Sequence, residues 1–131
     1  MTPATPPPVP QMLAERFTKA YSAFVDAVRA AVNEAAQNPA LSGNRALLLW
    51  QTQALPMLEK EKASVENKMA LYLIGEERSI VEAASDARHL AKRLDGLDLN
   101  FAGEEKGQKL DQLETNVVVA AYQVCAAAGV P

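Results

Sequence analysis

Residues Thr115 to Ala128, TNVVVAAYQVCAAA, have the composition of a helix but no evident wet side. Only Thr115, Asn116 and Gln123 are frankly polar, and Gly129 follows at the place where helices commonly stop. A helix that is apolar all round has to be enclosed by other helices or by another copy of the chain. The remainder of the sequence is therefore read as the wall around this segment, which makes the expected fold an all-α helical bundle.

The totals agree with that class. Alanine is abundant, aromatics are few, and strand-type alternation is hard to find. With 131 residues the chain fits one domain and can bury roughly two-thirds of its unfolded surface. Net charge is −3, from 13 basic and 16 acidic residues, so no bulk field draws in nucleic acid or an anionic membrane. Cys125 is the single cysteine and cannot form an internal disulfide. No apolar run reaches the roughly 20 residues that span a bilayer, and the amino terminus lacks the layout of a secretion signal. A cytoplasmic location is expected, with no membrane and no nucleic acid as partner.

Residues 1–10 hold five of the eight prolines and are expected to be a disordered tail ahead of a single helical domain over 11–131. Pro3 to Pro6 and Pro7 to Pro10 have a Pro-x-x-Pro spacing, read here as part of a solubilising leader. From Gln11 to Gln37, Leu13, Phe17, Ala20, Phe24, Val28, Ala31 and Ala35 recur at steps of three and four, and predict a first helix that Asn38-Pro39 ends. Ser42 or Asn44 can cap the next one. That helix begins RALLLWQTQAL and meets Pro56, which predicts a kink or break near Leu55.

Beyond Pro56 two architectures compete. Leu73, Ile80, Ala87 and Leu94 fall at intervals of seven, as do Met69, Ala83, Leu90 and Leu97 with Glu76 interrupting. The register runs through Gly75, and no turn-forming cluster accompanies that glycine. The preferred expectation is one long central helix over 57–95, about 58 Å long, flanked by the N-terminal and C-terminal helices and completed by a second chain. The alternative is a monomeric up-down four-helix bundle with a break at Gly75. Asp95-Gly96 supplies the stop, and a linker with Gly103 and Gly107 leads to a last helix from about residue 108. Leu97, Leu99 and Phe101 are too apolar for a free loop and are expected to tuck against the bundle end.

Chemistry-bearing patterns are sparse. Glu82, Asp86 and His89 carry an Asp-x-x-His spacing, half of a carboxylate-bridged metal site. Their phase places them with Ser79 and Arg93 on a stripe opposite Ile80, Ala84, Ala87, Ala91 and Leu94, and there is no second histidine. They are expected to face water. No Glu-x-x-Glu pair exists to gather magnesium, and no nucleophile triad, phosphate loop or Cys/His cluster is present. No catalytic residue, metal or cofactor is assigned.

The expected function is that of a non-enzymatic helical protein, an adaptor, chaperone or structural component. It would act by self-association as a homodimer and by binding another protein, with Leu48, Leu49, Trp50, Met69, Tyr72 and Leu73 as contacts. The first alternative is a small metal-dependent hydrolase using Glu76, Glu77, Glu82 and Asp86. The second is a regulator that holds a small apolar ligand against the alanines of the C-terminal helix.

Overall fold

The computed structural model describes residues 8–131, an all-α helical bundle with no strand among the described residues. Helix α1 (Gln11–Ala36) is followed by a 3₁₀ turn (Pro39–Leu41) and the short α2 (Arg45–Leu49). A π-helical turn (Trp50–Ala54) joins α2 directly to α3 (Leu55–Leu73). Then come α4 (Glu77–Ala87), the one-turn α5 (Leu90–Arg93), a 3₁₀ turn (Leu99–Ala102) and α6 (Glu104–Ala127).

These pieces make four rods: α1, the run from α2 to α3, α4 with α5, and α6. Contacts between rods set their directions. Arg16 near the start of α1 meets Gln123 near the end of α6, and Glu34 near the end of α1 meets Lys106 at the start of α6. Asp26 and Arg29 meet Lys62 and Glu59 of α3, Lys68 of α3 meets Glu82 of α4, and Ser85 of α4 meets Cys125 of α6. Each rod thus packs antiparallel on its neighbours, around a ring α1–α3–α4–α6. This is the up-down arrangement, completed within one chain.

The long helix over 57–95 is not formed. Gly75 has φ +102°, the left-handed conformation that glycine tolerates best. Its N–H donates to the Tyr72 carbonyl, and the Glu76 N–H reaches back to Leu71, which closes α3 with a Schellman turn. Side-chain phase breaks there as well. Ile80, Ala87 and Leu94 are buried, but Leu73, the first member of that row, is 55% exposed.

Pro56 does not break its rod either. It lacks the N–H that would bond four residues back, and the preceding π turn absorbs the defect: the Leu55 N–H donates to Trp50, five residues earlier. Asn44 rather than Ser42 caps α2, its side chain accepting from the Leu47 N–H at 3.0 Å.

Helix α6 starts at Glu104, several residues earlier than its glycines suggest. Gly103, with φ +110°, is the entry residue, while Gly107 is buried inside the helix. A Cβ on Gly107 would collide with the Asn100 side chain of the preceding 3₁₀ turn. The glycine is there for close packing and not for a turn.

The core runs the length of the bundle. Phe17, Phe24 and Val28 of α1, Leu58 of α3, Ile80 of α4, Leu90 of α5, and Val117 and Val124 of α6 are all fully enclosed. Burial of each large side chain among them stabilises the fold by about 1.5–3 kcal/mol. Phe101 is buried against Trp50 with ring centroids 5.8 Å apart, and Leu97 and Leu99 are half-buried, so the apolar linker does close the bundle end. No helix of the described residues is long and apolar enough to cross a membrane.

Residues 1–7, which include most of the proline-rich tail, lie outside the described residues. The tail's last part is not free. Val9 is buried, its N–H donates to Glu77, and its carbonyl accepts from the Tyr72 hydroxyl.

Candidate functional site

The residues expected to make partner contacts divide sharply. Trp50 is fully buried, and its indole N–H donates to the Asp98 carbonyl at 2.9 Å. Met69 and Tyr72 are core residues as well, Tyr72 holding Val9. These three cannot meet a partner while the bundle is closed, because their apolar surface is already used inside one chain. Leu49 is half-buried, and only Leu48 and Leu73 are exposed.

Other exposed apolar residues escape a reading of the sequence. Ile74 is 78% exposed beside Leu73, and Met12 is exposed as the second residue of α1. The Val9 contacts to Tyr72 and Glu77 bring the start of α1 to the α3–α4 turn, so Met12, Leu73 and Ile74 share one end of the bundle. A signal exists all the same: a bulky pair directly before a Gly turn has no helix left to bury it.

The C-terminal helix is enclosed on one side only. Val117, Ala120, Ala121, Val124 and Cys125 are buried, while Val119 and Tyr122 are each 50% exposed on its outer face. The cover expected from a second chain comes from α1 and α4 of the same chain. Arg88 of α4 lies over the Tyr122 ring, 4.4 Å from its centroid, and donates to the Pro131 carbonyl at 2.5 Å. Its charge is favoured further by the Tyr122 hydroxyl and then by the nearby Cys125 thiol.

The carboxylates considered for metal chemistry are dispersed. Glu82 and Asp86 are exposed, 3.8 and 4.0 Å from the Lys68 ammonium, and His89 is exposed beyond the end of α4. Glu77 accepts from Val9, and Glu76 is exposed one residue earlier. Among the described residues no group of three or more His, Cys, Asp or Glu side chains could hold a metal ion. Ser79, placed on the wet stripe by its phase, is buried instead.

The most developed polar cluster carries no mark in the sequence. Tyr21, nearly inaccessible in α1, donates to Glu61 of α3 at 2.6 Å, and burial pushes its pKa up to about 12. Arg93 of α5 pairs with the other Glu61 oxygen and donates to the Asp86 carbonyl at 3.1 Å, at the end of α4 where helical bonding lapses. The cavity between these groups is only about 40 Å³, room for a water or two. Its charges are matched and its donors are used, so it ties three of the four rods together and offers no open position to a substrate.

Two shallow depressions of about 340 and 200 Å³ flank the loop after α1, lined mainly by Gln37, Asn38, Leu41 and their neighbours. None of these three cavities is lined by the alanines of α6, of which Ala120 and Ala121 are buried against the other helices. Against these features, comparison with protein-family models, with curated proteins and with solved structures finds no match.

Proposed function

We propose that this chain is a non-enzymatic helical protein that acts by contacting other proteins, as an adaptor, chaperone or structural component. One observation carries the reading. The bundle closes its own core and still leaves Met12, Leu73 and Ile74 exposed at one end and Val119 and Tyr122 along α6. Meanwhile Glu77, Glu82 and Asp86 are engaged by the main chain or by Lys68. Exposed apolar clusters on a closed domain are commonly contact sites. Self-association belongs to the same reading, as a contact between finished bundles and not as completion of a core. A reducing, cytoplasmic setting suits the single buried thiol of Cys125.

The test uses the full chain and two variants, Leu73→Glu with Ile74→Glu, and Val119→Glu. Light scattering across a concentration series and capture from the native cell should reveal a partner or a second copy. At least one variant should lose it with helical circular dichroism unchanged. A chain that stays monomeric, retains no protein, and binds magnesium or manganese tightly by calorimetry would overturn the proposal in favour of the hydrolase.

A further inference from the structure

We propose that the outer face of the second half of α6 docks an amphipathic helix of another protein whose flanks are acidic. The inference rests on the interaction reading above and names the chemistry of the partner. From Thr115 to Pro131 the chain carries no charged residue. Thr115, Val119, Tyr122 and Ala126 are all exposed, at spacings of four, three and four. That is the seam spacing by which one helix receives another along its length. Depletion of charge with a tyrosine at the centre is also the composition of interface cores.

The borders of this seam are basic on both sides. From α1, Arg16 reaches the Gln123 side chain at 3.3 Å, and Lys19 follows one turn later. From α4, Arg88 lies over Tyr122, and exposed Lys92 follows on α5. Among the described residues no Asp or Glu side chain pairs with any of these four cations, Arg88 donating instead to the Pro131 oxygen. Of the acids on these helices, Glu15 accepts from Gln11, Asp26 pairs with Arg29 and Lys62, and Glu82 and Asp86 lie against Lys68.

A chain of net charge −3 therefore sets cations that no side-chain carboxylate pairs along both borders of a charge-free helix face. A second copy would set these cations against their like, which disfavours self-docking here. Insertion into an anionic membrane is disfavoured as well, since the seam offers one valine and one tyrosine, each half exposed, and no Trp, Phe or Leu. An apolar-seamed helix with Glu or Asp on its flanks satisfies both the seam and its borders.

The test is titration of the full chain, followed by amide NMR, with a synthetic helix of about three heptads carrying Leu and Ala along its seam and Glu on its flanks. A second peptide carries Lys in place of Glu. The Glu peptide should shift Thr115, Val119, Tyr122 and Ala126, and should bind at least about tenfold more tightly than the Lys peptide. Raising salt from about 0.05 to about 0.5 M should weaken it by about tenfold. Val119→Glu should abolish binding, and Lys19→Glu, a fully surface change, should weaken it by about threefold or more.

Equal affinity for both peptides, no binding, or indifference to Val119→Glu overturns the inference. So does binding to phosphatidylserine vesicles without peptide binding, which would assign the face to a lipid surface. A dimer dissolved by Val119→Glu would assign it to a second copy. If the peptides fail while Leu73→Glu with Ile74→Glu abolishes a natural contact, the interaction reading stands and this inference alone falls.

Discussion

The Tyr21 hydroxyl is the clearest case of one atom tying the fold to pH. Burial holds the phenol protonated up to about 12, while in the unfolded chain it ionises near its ordinary value of 10.0. Above pH 10 the folded state keeps a proton that the unfolded state releases. Stability present below that value is therefore lost as pH rises from about 10 towards 12. Tyr72 is shifted in the same direction by its own burial and by Glu77 and Glu15, so it adds to the same limb. In melting temperatures measured from pH 7 to 11, Tyr21→Phe should flatten part of the alkaline decline and leave the part that belongs to Tyr72. At neutral pH the same change should cost about 1–2 kcal/mol, because Glu61 loses a charge-assisted donor. Neither Glu61 nor its pairing with Arg93 was legible in the sequence. Helical phase says which way a side chain leaves its own helix, and not which neighbour a long arginine can reach. Gly107 gives a second residue-scale test. Helix propensity alone favours Gly107→Ala by about 1 kcal/mol. The Asn100 side chain occupies the space a methyl group needs, so the variant should instead melt lower than wild type in thermal denaturation followed by circular dichroism.

At the scale of elements, the first helix and the linker that closes the bundle end were legible. Apolar residues at three- and four-residue steps line one face of a helix, and a strand or a free loop would scatter them. The turn at Gly75 was ambiguous for a physical reason. A Schellman turn needs only one left-handed residue and no cluster of turn formers, and the intervals of seven survive it in the sequence although Leu73 leaves the core. Helix α6 was misplaced at its start because a glycine that permits close packing looks the same, in sequence, as one that permits a turn. Gly75→Ala should cost about 1–2 kcal/mol, the penalty for a Cβ in the left-handed region. Chemical denaturation should show that loss in the midpoint with an unchanged slope. An unaltered midpoint would mean that α3 and α4 join by some other route.

For the whole molecule, the C-terminal helix without a wet side correctly demanded an all-α bundle, but the source of its cover had two solutions. The preferred one required a second chain because a long central helix leaves each half too thin. Reversal at Gly75 lets α1 and α4 do the covering, and what remains outside is a half-exposed seam and an apolar bundle end. The candidate site was thus legible in part: Leu73 and Leu48 were named and are exposed, while Trp50, Met69 and Tyr72 were named and are core. An apolar side chain on a helix looks identical in sequence whether it faces inward or outward, until the packing of all four rods is known. The positive borders of the seam were less legible still, because they come from Arg16 and Arg88, far apart in the chain.

The contact of Arg16 with Gln123 places the start of the first rod beside the end of the last. Three of the four rod pairings join consecutive rods, while the most extensive, between α1 and α6, joins the first rod to the last. A circular permutant follows from this geometry: residues 131 and 8 bridged by a short Gly/Ser linker that keeps Val9 in place, with new ends opened between Ser42 and Gly43, both exposed in the loop before α2. It should recover the wild-type helical spectrum and a cooperative melt within a few degrees of the parent, and stopped-flow refolding should stay single-exponential.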